Sequence, residues 1–258
     1  MVAVTERWLV PLRTGRTPRL QVICFPHAGG WPSAFHPWVD LLPTGVDLLV
    51  GQLPGRGARL YEEPARSVEV IADALVDQIA PLNDRPYVLI GHSFGSVIAF
   101  ELTRHLERWG YALPELVLVS ACQAPHVRRE PPFVHHLDDA QLLRYLERIG
   151  GIPELLLERS EMLQAVLRTV RTDFEALETY RCAPQAPLPV PLIACGAVDD
   201  PLVSPTSLRT WHSHTSGSFE RHLLRGGHFY LYREQNIRRL IAILVKHTTR
   251  RWRPAEFL

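Results

Sequence analysis

The sequence predicts an α/β fold with a mostly parallel central sheet, helices on both faces of the sheet and an inserted helical lid. Short apolar runs typical of buried strands alternate with amphipathic helical patterns along most of the chain. The alternation stops between about Ala124 and Gln185, where proline-rich ends enclose two amphipathic helical patterns, and then resumes. The core is therefore predicted to comprise residues 1–123 and 186–258, and the lid residues 124–185.

The composition is that of an ordinary globular protein. The 258 residues suit one large domain with a substantial core. The 28 Lys and Arg residues nearly balance the 27 Asp and Glu residues, which gives no reason to expect a nucleic acid or an anionic membrane as partner. The sequence contains no apolar stretch typical of a signal peptide or a membrane span. We expect a cytoplasmic monomer, with buried free thiols at its scattered cysteines, Cys24, Cys122, Cys182 and Cys195.

The core pattern contains seven apolar runs of strand length. They cover residues 8–12, 20–25, 46–53, 87–90, 116–120, 192–195 and 219–224. The first two are predicted to pair with each other across a turn at residues 13–18. Helical patterns follow Ser67, cover residues 97–109, 138–149, 160–180 and 236–248, and start again at Ser204-Pro205, where serine suits an N-cap and proline the first helical position.

The fourth strand leads into Gly91-His92-Ser93-Phe94-Gly95, a Gly-x-Ser-x-Gly pattern followed by a helix. Such a strand-to-helix turn projects its serine hydroxyl above the sheet, close to the first N–H groups of the helix. The pattern alone is weak evidence, since a chain of this length contains it by accident in roughly one case in ten. Its position nevertheless makes Ser93 the candidate nucleophile, the alternative being a structural turn serine.

A serine nucleophile needs a base within hydrogen-bond reach and a third group that orients the base. His228 follows the last predicted strand behind two glycines, and Asp200 follows the strand before it. This order of Ser, acid and His is the order found in α/β-hydrolases. We favour Asp200 over Asp199 because the Asp-Pro-x-Val pattern places Asp200 where the acid usually falls. The alternative for His228 is a hydrogen-bonded loop histidine without a catalytic role.

The oxyanion of a tetrahedral intermediate needs two backbone donors. One is expected to be the N–H of Phe94, directly after the nucleophile, and the other the N–H of Ala28, in the loop after the second strand. The neighbouring His27 is expected either to brace that loop or to be a simple turn residue.

The sequence predicts no metal site and no cofactor. His135 and His136 are adjacent, so their side chains point in different directions, and Asp138 suits the N-cap of the following helix better than a metal ligand.

With these residues placed, nearly the whole chain resembles the type II thioesterases that accompany modular polyketide synthases and non-ribosomal peptide synthetases. The resemblance implies a free-standing hydrolase that removes stalled or aberrant acyl groups from the phosphopantetheine arm of acyl or peptidyl carrier proteins. It rests on six separated motifs: residues 25–30, Pro54-Gly55-Arg56, residues 91–95, Gly150-Gly151-Ile152-Pro153-Glu154 with Asp173-Phe174, Asp200-Pro201, and residues 227–231.

Two residues depart from the family pattern. Phe94 stands where the family commonly has methionine, and Ser96 where it usually has alanine. The backbone donor at position 94 is expected to survive, whereas the larger Phe94 side chain is expected to narrow the acyl pocket.

The residues leave three other functions open. A carboxylesterase or lipase would use the same triad, an acyltransferase would share the acyl-enzyme, and a catalytically silent scaffold would keep the fold alone. Arg128 and Arg129, at the entry to the lid, are hypothesised to meet an acidic carrier protein, the alternative being solvated surface arginines.

Overall fold

A computed structural model describes residues 7–82, 85–151 and 160–248. Strands of these residues form one seven-stranded sheet in the order β1-β3-β2-β4-β5-β6-β7. β1 runs antiparallel to β3, and every other neighbouring pair is parallel. The strands are β1 Leu9–Arg13, β2 Leu20–Phe25, β3 Val46–Gly51, β4 Tyr87–His92, β5 Leu116–Ser120, β6 Leu192–Ala197 and β7 Phe219–Leu224.

Helices cover both faces of the sheet, which confirms the predicted fold class. α1 and α2 contribute to the apolar core on one face, and α5 and a 3-10 helix at Pro32–Trp38 contribute to the core on the other. The central strands are buried along their whole length because each face carries its own layer. The α-helices are α1 Val68–Ile79, α2 Phe94–Arg108, α3 Asp139–Ile149, α4 Ser160–Thr179 and α5 Glu234–Thr248.

The predicted pairing of the first two strands is wrong. β3 lies between β1 and β2, and β1 pairs with β3 as the antiparallel edge strand. The connection from β1 to β2 is held beside β3, where the Gly15 N–H donates a 2.7 Å hydrogen bond to Asp47 Oδ1. The burial of the strands agrees with this order. β3 is buried along nearly its whole length, as an interior strand is, whereas β1 is mostly half-exposed, as an edge strand is.

The segment after Ser204-Pro205 also differs from the prediction. It forms a 3-10 helix at Ser207–His214, which starts two residues after the predicted first helical position, Pro205. The N-cap is Thr206 rather than the predicted Ser204, although Ser204 Oγ accepts a 3.2 Å hydrogen bond from Ser207 N–H. The helix after the Gly-x-Ser-x-Gly turn starts at Phe94, three residues before the predicted start.

The helical insertion, residues 124–185, contains α3 and α4. A small apolar cluster joins the two helices through Leu142, Leu146, Leu167 and Val170. α3 starts with a capping box in which Asp138 accepts from Gln141 N–H and the Gln141 side chain accepts from Asp138 N–H.

Residues 152–154 of the motif after Gly151 lie outside the described residues, and the boundaries of the insertion as a separate unit stay a prediction. No helix of the described ranges is long and apolar enough to cross a membrane.

Candidate active site

The turn after β4 holds Ser93 in a strained conformation. Its φ of 55° and ψ of −114° lie in a region that residues other than glycine rarely occupy. The glycines on either side allow backbones to touch: a Cβ on Gly91 would lie 2.1 Å from Gly95 O, and one on Gly95 would lie 2.0 Å from Phe25 O. The turn therefore packs directly against the end of β2, where the predicted oxyanion loop starts.

Ser96 fastens this turn to the neighbouring strand β5. Its hydroxyl lies 2.9 Å from both Gly91 O and Ser120 O and donates its single proton to one of them. The same oxygen accepts a 3.0 Å hydrogen bond from Ser120 N–H. The residue that departs from the family pattern thus has a structural role, which sequence reasoning missed because its partner lies 24 residues away.

The structure brings Ser93, His228 and Asp200 together from the ends of three parallel strands. Ser93 Oγ lies 3.0 Å from His228 Nε2. On the other side of the imidazole, His228 Nδ1 lies 2.9 Å from Asp200 Oδ2 and 3.1 Å from Oδ1. This chain of contacts can pass a proton from the hydroxyl to the imidazole and hold the resulting imidazolium beside a carboxylate.

The position of Asp200 is fixed by its own loop. The carboxylate is fully buried, and its Oδ1 accepts hydrogen bonds from Leu202 N–H at 2.8 Å and Val203 N–H at 3.3 Å. Asp199 is exposed. Of the two adjacent carboxylates, Asp200 is the one that contacts His228.

The loop after β2 forms a tight turn beside Ser93. Gly30 N–H closes it by donating to His27 O at 2.8 Å, and Gly29 occupies the third position with a φ of 75°, as a type II turn requires. Among the described residues, neither the Ala28 N–H nor the Phe94 N–H has a hydrogen-bond partner. Both predicted oxyanion donors therefore remain available to a substrate oxygen.

The chain matches a known protein family over most of its length. The family model described as "Thioesterase domain" matches residues 20–247. The chain belongs to the thioesterase family. Its class of activity is accordingly thioester hydrolysis.

Relatives of this thioesterase come from peptide and polyketide biosynthesis. Its structure is similar to RedJ, a thioesterase from the prodiginine pathway of Streptomyces coelicolor, with a TM-score of 0.83, 35% identity and coverage of 89% of this chain and 91% of RedJ. It is also similar to YbtT, a type II thioesterase from the yersiniabactin NRPS/PKS pathway, with a TM-score of 0.86, 30% identity and coverage of 96% and 100%.

A curated relative, linear gramicidin dehydrogenase LgrE of Brevibacillus parabrevis, is 33% identical over 93% of this chain and 91% of LgrE. Its name denotes a dehydrogenase, whereas the family model and both solved structures are named as thioesterases.

Two further histidines lie against the candidate triad of the thioesterase. His27 Nδ1 lies 2.9 Å from the Tyr232 hydroxyl, and burial, followed by the charges of His228 and Arg56, lowers the pKa of His27 to about 3. The ring of His92 lies 5.4 Å from the ring of His228, and its Nδ1 lies 2.9 Å from Ser120 Oγ.

Burial lowers the pKa of His92 well below its ordinary value. Both imidazoles are therefore neutral at neutral pH and add no charge beside His228. His27 thus braces the loop, which was one of its two predicted roles. His92 was missed, although its place directly before the candidate nucleophile was a signal.

A cavity of about 430 Å³ lies between the Ala28 loop and helix α4. Its lining is mostly apolar and includes Trp31, Met162 and Val166. The fully buried Phe94 side chain packs in the main core and does not line this cavity, so it does not narrow it. The cavity is large enough to hold an acyl chain beside the predicted oxyanion donor.

Of the two adjacent histidines of the insertion, His135 has a carboxylate partner. His135 Nδ1 lies 2.6 Å from Glu178 Oε2, and the same carboxylate accepts hydrogen bonds from the N–H groups of Val134 and His135. Within the described part of the chain, no three His, Cys, Asp or Glu side chains are placed to hold a metal ion.

Proposed function

We propose that this thioesterase hydrolyses acyl thioesters on the phosphopantetheine arm of acyl or peptidyl carrier proteins and so removes stalled or aberrant acyl groups. Ser93 is the nucleophile, His228 the general base and acid, and Asp200 the group that orients His228. The observation that carries this proposal is the continuous contact from Ser93 Oγ through both nitrogens of His228 to the buried carboxylate of Asp200, at 3.0 and 2.9 Å.

In the first step, Ser93 Oγ attacks the thioester carbonyl while His228 Nε2 takes the hydroxyl proton. The carbonyl oxygen becomes an oxyanion, which the N–H groups of Phe94 and Ala28 stabilise. The intermediate collapses with loss of the phosphopantetheine thiolate, which receives the proton from His228. Ser93 then carries the acyl group as an ester.

In the second step, His228 takes a proton from water, and the resulting hydroxide attacks the acyl-enzyme. The same two N–H groups stabilise the second oxyanion. Collapse returns the proton from His228 to Ser93 Oγ and releases the carboxylic acid. Asp200 stabilises the imidazolium in both steps without taking its proton.

The choice of a carrier-bound substrate rests on two observations. Solved relatives include a type II thioesterase from an NRPS/PKS pathway, the class for which the sequence resemblance implies carrier-bound substrates. The mostly apolar cavity borders Ala28, the proposed oxyanion donor, and so suits an acyl chain whose thioester carbonyl is bound at that donor.

The test is acyl release from a phosphopantetheinylated carrier protein, with acetyl and longer acyl groups, by the wild type and by Ser93→Ala. A p-nitrophenyl ester and acyl coenzyme A serve as comparison substrates. We expect turnover on the carrier that Ser93→Ala abolishes. Carrier turnover that survives Ser93→Ala contradicts the mechanism, and turnover of simple esters alone identifies an esterase instead. Transfer of the acyl group to an added alcohol or amine in place of water identifies an acyltransferase.

A further inference from the structure

A buried ion pair joins helix α4 to the core. Arg56, in the loop after β3, donates from Nη2 to Asp173 Oδ1 at 2.7 Å and from Nη1 to Asp173 Oδ2 at 2.8 Å. Both side chains are 1% exposed. We call this pair the Arg56–Asp173 clamp.

The clamp also holds the turn that carries Ala28. Asp173 Oδ2 accepts a 2.6 Å hydrogen bond from Gly29 N–H, and Arg56 Nη1 donates a 3.3 Å hydrogen bond to Gly30 O. The turn is thus held through the N–H of one residue and the carbonyl of the next. The Gly29 N–H already donates to Asp173, so it cannot bind an oxyanion. The adjacent Ala28 N–H can.

The Arg56–Asp173 clamp is expected to contribute little to the stability of the folded protein. A buried ion pair loses the hydration of both charges and commonly gains little over an apolar pair of the same size. The Arg56 Nε–H adds to this cost, because it is buried without a hydrogen-bond partner in the described part of the chain. What the pair does provide is a charged acceptor, fixed in position by two hydrogen bonds, beside the backbone of the turn.

We propose that Asp173, held by Arg56, is a positioning residue that sets the direction of the Ala28 N–H in the oxyanion hole. Helix α4 of the insertion therefore supplies part of the catalytic geometry as well as a wall of the cavity. This inference rests on the proposed function, since it needs Ser93 to form a tetrahedral intermediate beside Ala28.

The test replaces Asp173 by Asn and by Ala. Asn keeps an oxygen that can accept the Gly29 N–H but loses the ion pair, whereas Ala removes both contacts. Loss of a complete oxyanion donor typically lowers kcat by about 100- to 1,000-fold. Because a displaced donor keeps part of its effect, we expect kcat to fall about 10- to 100-fold in Asp173→Ala and less in Asp173→Asn. KM should stay within about twofold, because the lost interaction belongs to the transition state.

Thr169→Val is the matched control. Thr169 lies one turn earlier on the same helix and is buried, and its Oγ1 lies 2.8 Å from Gly55 O and 2.9 Å from Ala165 O. It ties α4 to the residue next to Arg56 without touching the Ala28 turn. We expect its kcat to remain within about twofold of the wild type. Thermal unfolding of each variant verifies that every assay is made on folded protein.

A second readout separates positioning from general damage to the fold. An alkyl boronic acid forms a tetrahedral adduct with a nucleophilic serine and directs an oxygen towards the oxyanion donors. We expect its affinity to fall in Asp173→Asn by about the same factor as kcat, and to be unchanged in Thr169→Val.

The outcomes distinguish this inference from the proposed function. Activity that survives Ser93→Ala refutes the proposed function. If Ser93→Ala is inactive, a folded Asp173→Ala, which lacks both contacts, with wild-type kcat overturns the positioning role alone. A loss that appears in KM instead of kcat, or equally in Thr169→Val, overturns it as well.

Discussion

His27 is expected to make the stability of the protein depend on pH. Its pKa of about 3 in the folded protein lies below the ordinary value of 6.5, so below pH 6.5 the unfolded chain binds a proton that the folded chain does not. The stability that the neutral ring contributes is complete above pH 6.5. It is lost at about 1.4 kcal/mol per pH unit as the pH falls from 6.5 towards 3.

The measurement is urea unfolding at pH 7.5, 6 and 5 for the wild type and His27→Gln. Gln keeps a polar group near Tyr232 and does not titrate. We expect the stability of the wild type relative to His27→Gln to fall between pH 6 and pH 5 by about 1 kcal/mol or slightly more. A difference that does not change with pH contradicts the assignment.

At the level of residues, the sequence identified the groups whose position follows from chain order. Ser93, Asp200 and His228 each follow a predicted strand, and parallel strands end at one edge of the sheet. Their proposed roles in catalysis stay a prediction until Ser93→Ala is assayed. The contacts of Ser96 and Asp173 were not predictable, because each joins groups that are far apart in the chain and have no shared pattern.

Helix α4 packs so closely on the Ala28 turn that Gly29 tolerates no side chain. A Cβ on Gly29 would lie 2.3 Å from Val170 Cγ2 but 3.5 Å from Val170 Cβ. We expect Gly29→Ala to lower both the stability and kcat, and Val170→Ala in the same chain to restore part of each. The restoration should be incomplete, since the φ of 75° still costs an alanine about 1–2 kcal/mol.

A double-mutant cycle on unfolding free energies measures this contact. Gly29→Ala, Val170→Ala and the double variant should show a favourable coupling of about 0.5–3 kcal/mol. Strictly additive changes in the free energy of unfolding would show that helix α4 and the Ala28 turn are not in steric contact at these two residues.

At the level of elements, the sequence predicted where the central strands lie but not how all of them pair. β2, β4 and β5 are apolar on both faces, so their runs are easily recognised. The position of β3 between β1 and β2 depends on a crossover, which local patterns do not encode. The helix predicted to start at Ser204-Pro205 is a 3-10 helix at Ser207–His214, and its serine and proline did not specify which type of helix follows.

For the molecule as a whole, the surface near the entry to the insertion is expected to bind the carrier protein. The Arg128 side chain is 77% exposed, and its nearest acidic group, Glu130, lies 3.8 Å away. Arg129 donates from Nη2 to Cys122 Sγ at 3.4 Å. Complementary charge mainly increases the rate of encounter, so its effect is salt-dependent.

We expect Arg128→Glu with Arg129→Glu to raise KM for an acyl carrier protein several-fold at low salt, and less at high salt, while turnover of a p-nitrophenyl ester stays unchanged. The matched control reverses Arg238 and Arg239, two adjacent exposed arginines on α5. An equal effect of both double reversals, or no effect of either, would remove Arg128 and Arg129 from the docking surface.

The long separation between Ser93 and His228 has a consequence during synthesis on the ribosome. Their contact spans 135 residues, and His228 follows β7, which is the last strand of the described chain and an edge of the sheet. Chains emerge from their amino-terminal end, so the serine turn leaves the ribosome well before the histidine. A nascent chain therefore carries the proposed nucleophile without its proposed base, and under the proposed mechanism it gains the ability to cleave a thioester only when its final strand pairs with β6.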